Sequence, residues 1–264
     1  MTVPCVLKIG GSLLTRHGKP FEIAEENLRG LAGALAAGVP AEGLVVVVGS
    51  GSSGRGLLPV FSGDRIERRH SHLARRVAGL LAELPGRLVD ALDAAGLPVS
   101  PLDAGTLFAV ERGRVTGLAS AILSAHLTAG RVPVLSGGIV MDLDVDFTIV
   151  SSDRMVTEIA VPLGAAKVIW ATDVDGVLDL NGRLMPSVER ATANRMWDPP
   201  EAGDDPTGAM GGKVAQALEL AGRGIESFIV NGTSPGRLRA ALRGERVTGT
   251  WIHRAAAVAA TSVG

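Results

Sequence analysis

The sequence contains no tyrosine and only one cysteine, and aromatic residues make up 3% of its 264 positions. Its core must therefore be built from Val, Leu, Ile and Ala. A lone cysteine cannot found a disulfide framework, and no His/Asn pair is placed to activate it. Cys5 reads as a small buried hydrophobe in the first apolar strand. No apolar run approaches the roughly 18 residues that a membrane helix needs. The N-terminus lacks the charged-then-apolar pattern of a secretory leader. A cytoplasmic protein with no membrane partner is expected. The net charge of −1 argues against a nucleic-acid surface, which would be strongly basic. With 46% hydrophobic and 20% charged residues, the composition is that of an ordinary soluble globule, long enough for one large α/β domain or two lobes.

Glycine, by contrast, is plentiful, and it gathers at the ends of apolar runs. The first case organises the chain: Lys8-Ile9-Gly10-Gly11-Ser12 follows a run that begins at Val6. A strand ending in Gly-Gly lets the backbone approach an anion, with its amides aimed at phosphate oxygens. Lys8 adds a point charge to such a nest. A turn after a first strand can look the same, so this piece alone is a weak signal. Three further glycine-rich strand ends strengthen it: Gly49 to Gly56, Ser136-Gly137-Gly138, and Thr207 to Lys213.

Val3 to Ile9 predicts a buried strand, and Ile23 to Ala37 a helix with Ile23, Leu28, Leu31, Ala34 and Leu35 on one face. Leu44 to Val48 is continuous Leu/Val, the mark of a parallel strand covered on both faces. It enters Gly49-Ser50-Gly51-Ser52-Ser53-Gly54-Arg55-Gly56, a second candidate anion nest. Arg65 to Ala95 reads as one or two helices broken near Pro85-Gly86. Their first part carries Arg65, Arg68, Arg69, His70, His72, Arg75 and Arg76. This run is either a solvated helix face or an electropositive mouth for an anionic substrate.

Further on, Leu107 to Val110 and Val115 to Leu118 form a hairpin, Ser120 to Ala129 a helix, Val132 to Leu135 a strand, and Met141 to Phe147 an acidic hairpin. Ser151-Ser152-Asp153 opens a helix, with Ser152 or Asp153 as its N-cap. Lys167 to Ala171 is a buried strand ending at Thr172-Asp173-Val174-Asp175-Gly176-Val177. That segment is either a tight turn with Asx hydrogen bonds or a holder of ribose or metal-bound phosphate. Asp198 to Pro206 has the composition of a mobile loop. Lys213 falls at the N-terminus of a helix running to Arg223, where the dipole disfavours a cation unless an anion is shared. Ser227 to Val230, Leu238 to Leu242 and Gly249 to Ile252 complete a strand, a helix and a last short strand, followed by a frayed tail. Strand–helix alternation with glycine-rich turns predicts a mostly parallel sheet that binds ligands at the carboxyl ends of its strands.

Together, and in this order, these motifs resemble the amino acid kinase superfamily. They are Lys8-x-Gly10-Gly11-Ser12, the loop from Gly49, Asp153 after Ser151-Ser152, Thr172 to Val177, and Thr207-Gly208-x-Met210-x-x-Lys213. The resemblance covers about residues 3 to 253. It is closest to isopentenyl phosphate kinases and fosfomycin-resistance kinases, through Gly10 to Thr15, Pro133-Val134-Leu135, Asn231-Gly232 and Gly249-Thr250-x-Ile252. Ser151 to Arg154 and Thr207 to Met210 lean toward the fosfomycin-kinase side.

It implies an open α/β/α sandwich and a homodimer. Each chain would be a single domain with an acceptor lobe at about 1–165, a nucleotide lobe at about 166–254 and a tail at 255–264. It implies an ATP- and Mg²⁺-dependent kinase for a small phosphate or phosphonate. Other branches of the superfamily act on carboxylates or carbamates, and a non-catalytic nucleotide-binding regulator is a further alternative.

On the same resemblance, Lys8 would hold the transferring phosphoryl group, Gly10, Gly11 and Ser12 would give it amides, and Lys213 would contact the ATP phosphates. Asp153 would orient the lysines. Thr172, Asp173, Asp175, Gly176, Val177, Gly208 and Met210 would line the nucleotide site. Gly49, Ser50, Gly51, Gly54, Arg55 and Ser152 would face the acceptor. The chain departs from the family pattern at Arg55, where a histidine is usual, and at His17, where a lysine is usual. Lys19 could reach the same anion as that missing lysine. Val48-Gly49-Ser50 replaces His-Gly-Gly, and Gly138 replaces an aspartate.

Overall fold

A computed structural model describes residues 4–16, 19, 22–51, 54, 57–61, 65–196 and 210–254. Strand β1 (Cys5–Ile9) leads into a one-turn helix α1 (Gly11–Leu14), then α2 (Glu25–Ala36) and β2 (Leu44–Val48). Strand β3 (Arg65–Ile66), the long helix α3 (Ser71–Ala94), β4 (Val99–Pro101) and α4 (Ala104–Leu107) follow. The chain continues through β5 (Phe108–Glu111), β6 (Arg114–Leu118), α5 (Ser120–Thr128), β7 (Val132–Ser136), β8 (Gly138–Asp142) and β9 (Asp146–Val150). Then follow α6 (Ser152–Ala160), β10 (Lys167–Thr172), α7 (Arg190–Met196), α8 (Met210–Gly222), β11 (Glu226–Asn231), α9 (Pro235–Leu242) and β12 (Thr250–Ile252).

Seven strands form the central sheet in the order β12-β11-β10-β1-β2-β7-β4, parallel except for β12. β1 and β2 are buried at every residue, as their unbroken branched-aliphatic sequences require. Side chains alternate between two cores. Cys5, Leu7, Ile9, Val46 and Val48 meet Leu31 and Leu35 of α2, Leu88 of α3 and Leu238 of α9. Val6, Val45 and Val47 face the other way, toward Met155 and Ile159 of α6 and Ala217 and Leu220 of α8. Lys8 shares that second face, so its ammonium group is directed toward α6. Cys5 is buried as expected, and burial pushes its thiol pKa up to about 12, leaving it unreactive.

From β1 the chain moves to β2 on one side of the sheet and later to β10 on the other. This reversal opens a crevice at the carboxyl ends of the strands, where ligands of doubly wound sheets bind. A smaller sheet, β3-β9-β8, stands beside it over a satellite core of Leu58, Phe61, Ile66, Ala74, Val77 and Leu81. At the tip of that sheet, the buried Asp142 carboxylate accepts from the amides of Arg112 (3.1 Å), Gly113 (2.7 Å) and Asp144 (2.9 Å). Burial alone would raise its pKa; these amides outweigh burial and hold it below the usual carboxylate value.

Several expectations change. Residues 65–70 lie outside the α-helix, because Arg65–Ile66 pairs with β9 and Arg68–His70 makes one 3-10 turn. α3 runs unbroken through Pro85. A proline inside a helix costs about 3 kcal/mol. Burying Leu84, Leu88 and Leu92 on the same helix returns about 1.5–3 kcal/mol each, so packing decides. The acidic hairpin is longer than its polar tip suggested, spanning Gly138 to Val150. Arg68, Arg69, His70, His72, Arg75 and Arg76 are all exposed, while Ala74, Val77 and Leu81 face inward. These side chains of the basic run stand in solvent.

Candidate active site

The parallel ladder extends one residue beyond four strands, and each of those residues is glycine. Gly10 N donates to Ala171 O (2.8 Å), Gly49 N to Ile9 O (2.9 Å), Gly137 N to Val48 O (3.2 Å) and Gly232 N to Thr172 O (2.8 Å). The turns after β1 and β2 press together, so that a Cβ at Gly11 would stand 1.9 Å from the Gly51 nitrogen. The two glycine loops are thus one continuous surface.

Gly49 forms the floor of that surface. A Cβ placed on it would lie 2.9 Å from Gly11 N, 3.4 Å from Lys8 Nζ and 3.4 Å from Ser152 Oγ. An amide, an ammonium and a hydroxyl therefore gather around the open face of Gly49. Three donors grouped over a glycine are suited to an anionic oxygen seated above it.

Ser152 is available for this seat because Ser151 caps the helix. The Ser151 hydroxyl accepts from Arg154 N at 3.2 Å. This corrects the expected capping by Ser152 or Asp153: the cap is the residue just before the first helical turn, whose side chain can reach the third amide. Freed from capping, Asp153 turns its carboxylate inward. Its Oδ1 lies 2.7 Å from Lys8 Nζ and its Oδ2 3.4 Å from Lys213 Nζ. Lys8 and Asp153 are only 4% and 5% exposed.

Two ammonium groups thus share the carboxylate of Asp153. Burial, reinforced by the nearby Lys213 charge, lowers the Lys8 pKa, while Asp153 opposes the shift. Lys213 is the fourth residue of α8, within the first turn, where the helix dipole also disfavours a cation.

On the β10 side, Asp173 Oδ1 accepts from Ser12 Oγ (3.0 Å) and Thr172 Oγ1 (3.1 Å), tying the first glycine turn to the loop after β10. Gly176 packs against Thr250, whose hydroxyl accepts from Val177 N at 2.8 Å. Asp175 accepts from Asn231 Nδ2 (2.9 Å) and Arg237 Nη1 (2.5 Å). These two hydrogen bonds lower its pKa. Across the sheet, a groove of about 390 Å³ runs between α3 and the ends of β4, β7 and β8. Ala78, Leu81, Ala82, Pro85 and Val89 form one wall, and Ser136, Gly137, Gly138 and Ile139 another. Its inner end adjoins the anion seat, since a Cβ on Gly137 would lie 2.4 Å from Ser152 N.

A family model described as the amino acid kinase family matches residues 4–231. The chain belongs to that family. It is 32% identical to the isopentenyl phosphate kinase of Methanothermobacter thermautotrophicus, over 94% of this chain and 98% of that protein. It is 33% identical to the isopentenyl phosphate kinase of Haloferax volcanii, over 91% of this chain and 98% of that protein. A solved isopentenyl phosphate kinase structure superposes with a TM-score of 0.78 at 29% identity, covering 94% of this chain and 99% of the other. The amino acid kinase fold expected from the motifs is the fold observed.

In this amino acid kinase, contacts join Lys8, Gly11, Gly49, Ser152, Asp153 and Lys213 into one cluster. Ser12, Thr172 and Asp173 form a second group beside Gly10, and Asp175 a third. Gly51 backs Gly11, while Ser50 accepts from Gly54 N at 3.1 Å to close the second loop. Met210 is half-buried at the start of α8. Lys19 is exposed and pairs with Glu22 at 3.0 Å; no hydrogen bond or ion pair among the described residues joins it to the Lys8 cluster. His17, Arg55, Gly208, the 198–206 loop and the 255–264 tail lie outside the described residues. Sequence reasoning did not assign Gly137 or Arg237 to the site. Gly137 was legible as a glycine at a strand end. Arg237 offered only the signal used for Lys213, a cation in a helix's first turn.

Proposed function

We propose that this protein is an ATP-dependent kinase that transfers the γ-phosphoryl group to a small aliphatic phosphate or phosphonate, as an isopentenyl phosphate kinase does. The observation that carries this reading is the grouping of Gly11 N, Lys8 Nζ and Ser152 Oγ around the open face of Gly49, with Asp153 and Lys213 behind it.

Phosphoryl transfer spreads negative charge over the equatorial oxygens, so catalysis consists mainly of positioning and of donors aimed at that charge. Lys8 and the Gly10–Ser12 amides are suited to the transferring group, and Lys213 to the nucleotide phosphates. Asp153 holds both ammonium groups in register. Because it is already engaged by them, it is poorly suited to act as a base. An acceptor that is already anionic at neutral pH needs none, and this favours a phosphate or phosphonate over a hydroxyl. Ser12, Thr172, Asp173, Asp175, Gly176, Val177, Gly208 and Met210 would line the nucleotide side. Gly49, Ser50, Gly51, Gly54 and Arg55 would line the acceptor side, with Lys19 or His17 over the transferring group.

Magnesium enters as the counter-ion of the nucleotide. Mg²⁺ prefers phosphate and water ligands to an all-protein cage, and among the described residues no three His, Cys, Asp or Glu side chains gather into a metal-holding group.

The groove beside the seat would take the acceptor's carbon chain. Release of ADP from ATP and Mg²⁺ should be seen with aliphatic monophosphates or phosphonates and not with amino acids. Turnover with a carboxylate, or with none of them, would overturn the reading. Within it, Ala78→Phe fills the groove and should raise the acceptor KM by about tenfold or more, leaving the KM for ATP unchanged. Equal changes in both would remove the groove from the acceptor site.

A homodimer is the proposed assembly. Helix α5 leaves Ala121, Ile122 and Ala125 exposed, Ile122 to 43%, while Leu123 is buried. A second chain packed there would cover that apolar strip. Among the described residues no helix is long and apolar enough to cross a membrane. Light scattering should give the mass of two chains for the wild type and of one for Ile122→Glu.

A further inference from the structure

The contacts around Asp175 have a direction that neither the fold nor phosphate binding explains. Both donors, Asn231 Nδ2 at 2.9 Å and Arg237 Nη1 at 2.5 Å, fall on the same oxygen, Oδ1. The amide of Asn231 is itself fixed. Its Oδ1 accepts from Thr233 N (2.9 Å) and Thr233 Oγ1 (2.6 Å), which leaves Nδ2 pointing at the carboxylate. Arg237 occupies the first turn of α9, where the helix dipole opposes a cation. Half-exposed ion pairs of this kind contribute little to stability, and the Asp175 side chain is 50% exposed. Three residues are thus arranged about a carboxylate for little gain in stability. Among the described residues Oδ2 receives no hydrogen bond.

A carboxylate repels phosphate and accepts from hydroxyl groups. Asp175 follows β10, in the loop whose Asp173 is bonded to Ser12 of the first glycine turn. A nucleotide with its phosphates at Lys8 and Lys213 would present its sugar to this loop. We propose that Arg237 and Asn231 are positioning residues that lock Asp175 so that Oδ2 accepts a hydrogen bond from a ribose hydroxyl, making the site selective for ribonucleotides. This rests on the nucleotide reading given above.

Calorimetric titration of the wild type, Arg237→Ala and Arg237→Lys with ATP, 2′-deoxyATP and 3′-deoxyATP tests it without any acceptor. The wild type should bind ATP about tenfold or more tightly than at least one deoxy analogue, as for a hydrogen bond to a charged group. Arg237→Ala should bring that ratio to within about twofold of unity. Arg237→Lys, which keeps a charged donor, should preserve most of it. Loss of the Arg237 charge weakens all three nucleotides alike, so the ratio isolates positioning from electrostatics. Equal weakening of all three in Arg237→Ala, with the wild-type ratio intact, would overturn the proposal while leaving the nucleotide reading standing. An absence of ATP binding to the wild type would remove both.

Discussion

Lys8→Met is expected to lower turnover by about 10²–10³-fold, the usual loss when one donor to developing transition-state charge is removed. Methionine keeps the length and most of the volume of the buried side chain, and Asp153 retains Lys213 at 3.4 Å. The melting temperature should therefore move by only a few degrees, separating lost chemistry from lost fold. Lys213→Met should act similarly, with the larger effect on the KM for ATP. Wild-type turnover in both variants would remove the transfer reading.

The pH profile adds an independent check. The Lys8 pKa lies below the ordinary 10.5 because burial disfavours its ammonium form. As pH rises through that lowered value the site loses a cation, and activity should fall on the alkaline side before free lysine would titrate. The stability contribution has the opposite sign. Between the folded and unfolded pKa values the unfolded chain binds more protons, so the Lys8 contribution to stability rises with pH. A fall in activity without a fall in melting temperature is the expected signature. Lys8→Arg, always protonated, should flatten that limb.

Much of this was legible in the sequence because buried parallel strands leave little choice of composition. Leu44 to Val48 could be placed from its residues alone, and the glycines at Gly10, Gly49 and Gly137 marked strand ends because they are strand ends. Lys213 was legible through its conflict with the helix dipole. Other features depend on contacts between segments distant in sequence. Nothing near Pro85 says that its helix survives; that is settled by the leucines it buries against other elements. Serine is a good N-cap at 151 or 152, and only the helix start distinguishes them. The pairing of Arg237 with Asp175 spans 62 residues, and no local pattern could announce it. Lys19 shows the limit from the other side. Its length fits the expected role, but the structure pairs it with Glu22.

Gly49→Ala should be as damaging as loss of Lys8, although it adds one methyl and removes no charge. The added carbon would stand 3.4 Å from Lys8 Nζ and 3.4 Å from Ser152 Oγ, crowding any oxygen that approached those donors over the open face of Gly49. Replacing glycine also reduces the freedom of the unfolded chain, which contributes about 0.4–1 kcal/mol toward stability. That offsets only part of the crowding against the Gly11 backbone nitrogen at 2.9 Å, which forces a small backbone shift. The variant should lose some stability but still fold, and lose about 10²-fold or more in turnover. Gly11→Ala is the contrasting case. Its Cβ would meet the backbone of Gly51 at 1.9 and 2.2 Å, and the two loops could not remain in contact. It should lose stability along with activity. If Gly49→Ala keeps turnover within about threefold of the wild type, a smaller loss than removal of one such donor causes, the open face of Gly49 is not where the anion binds.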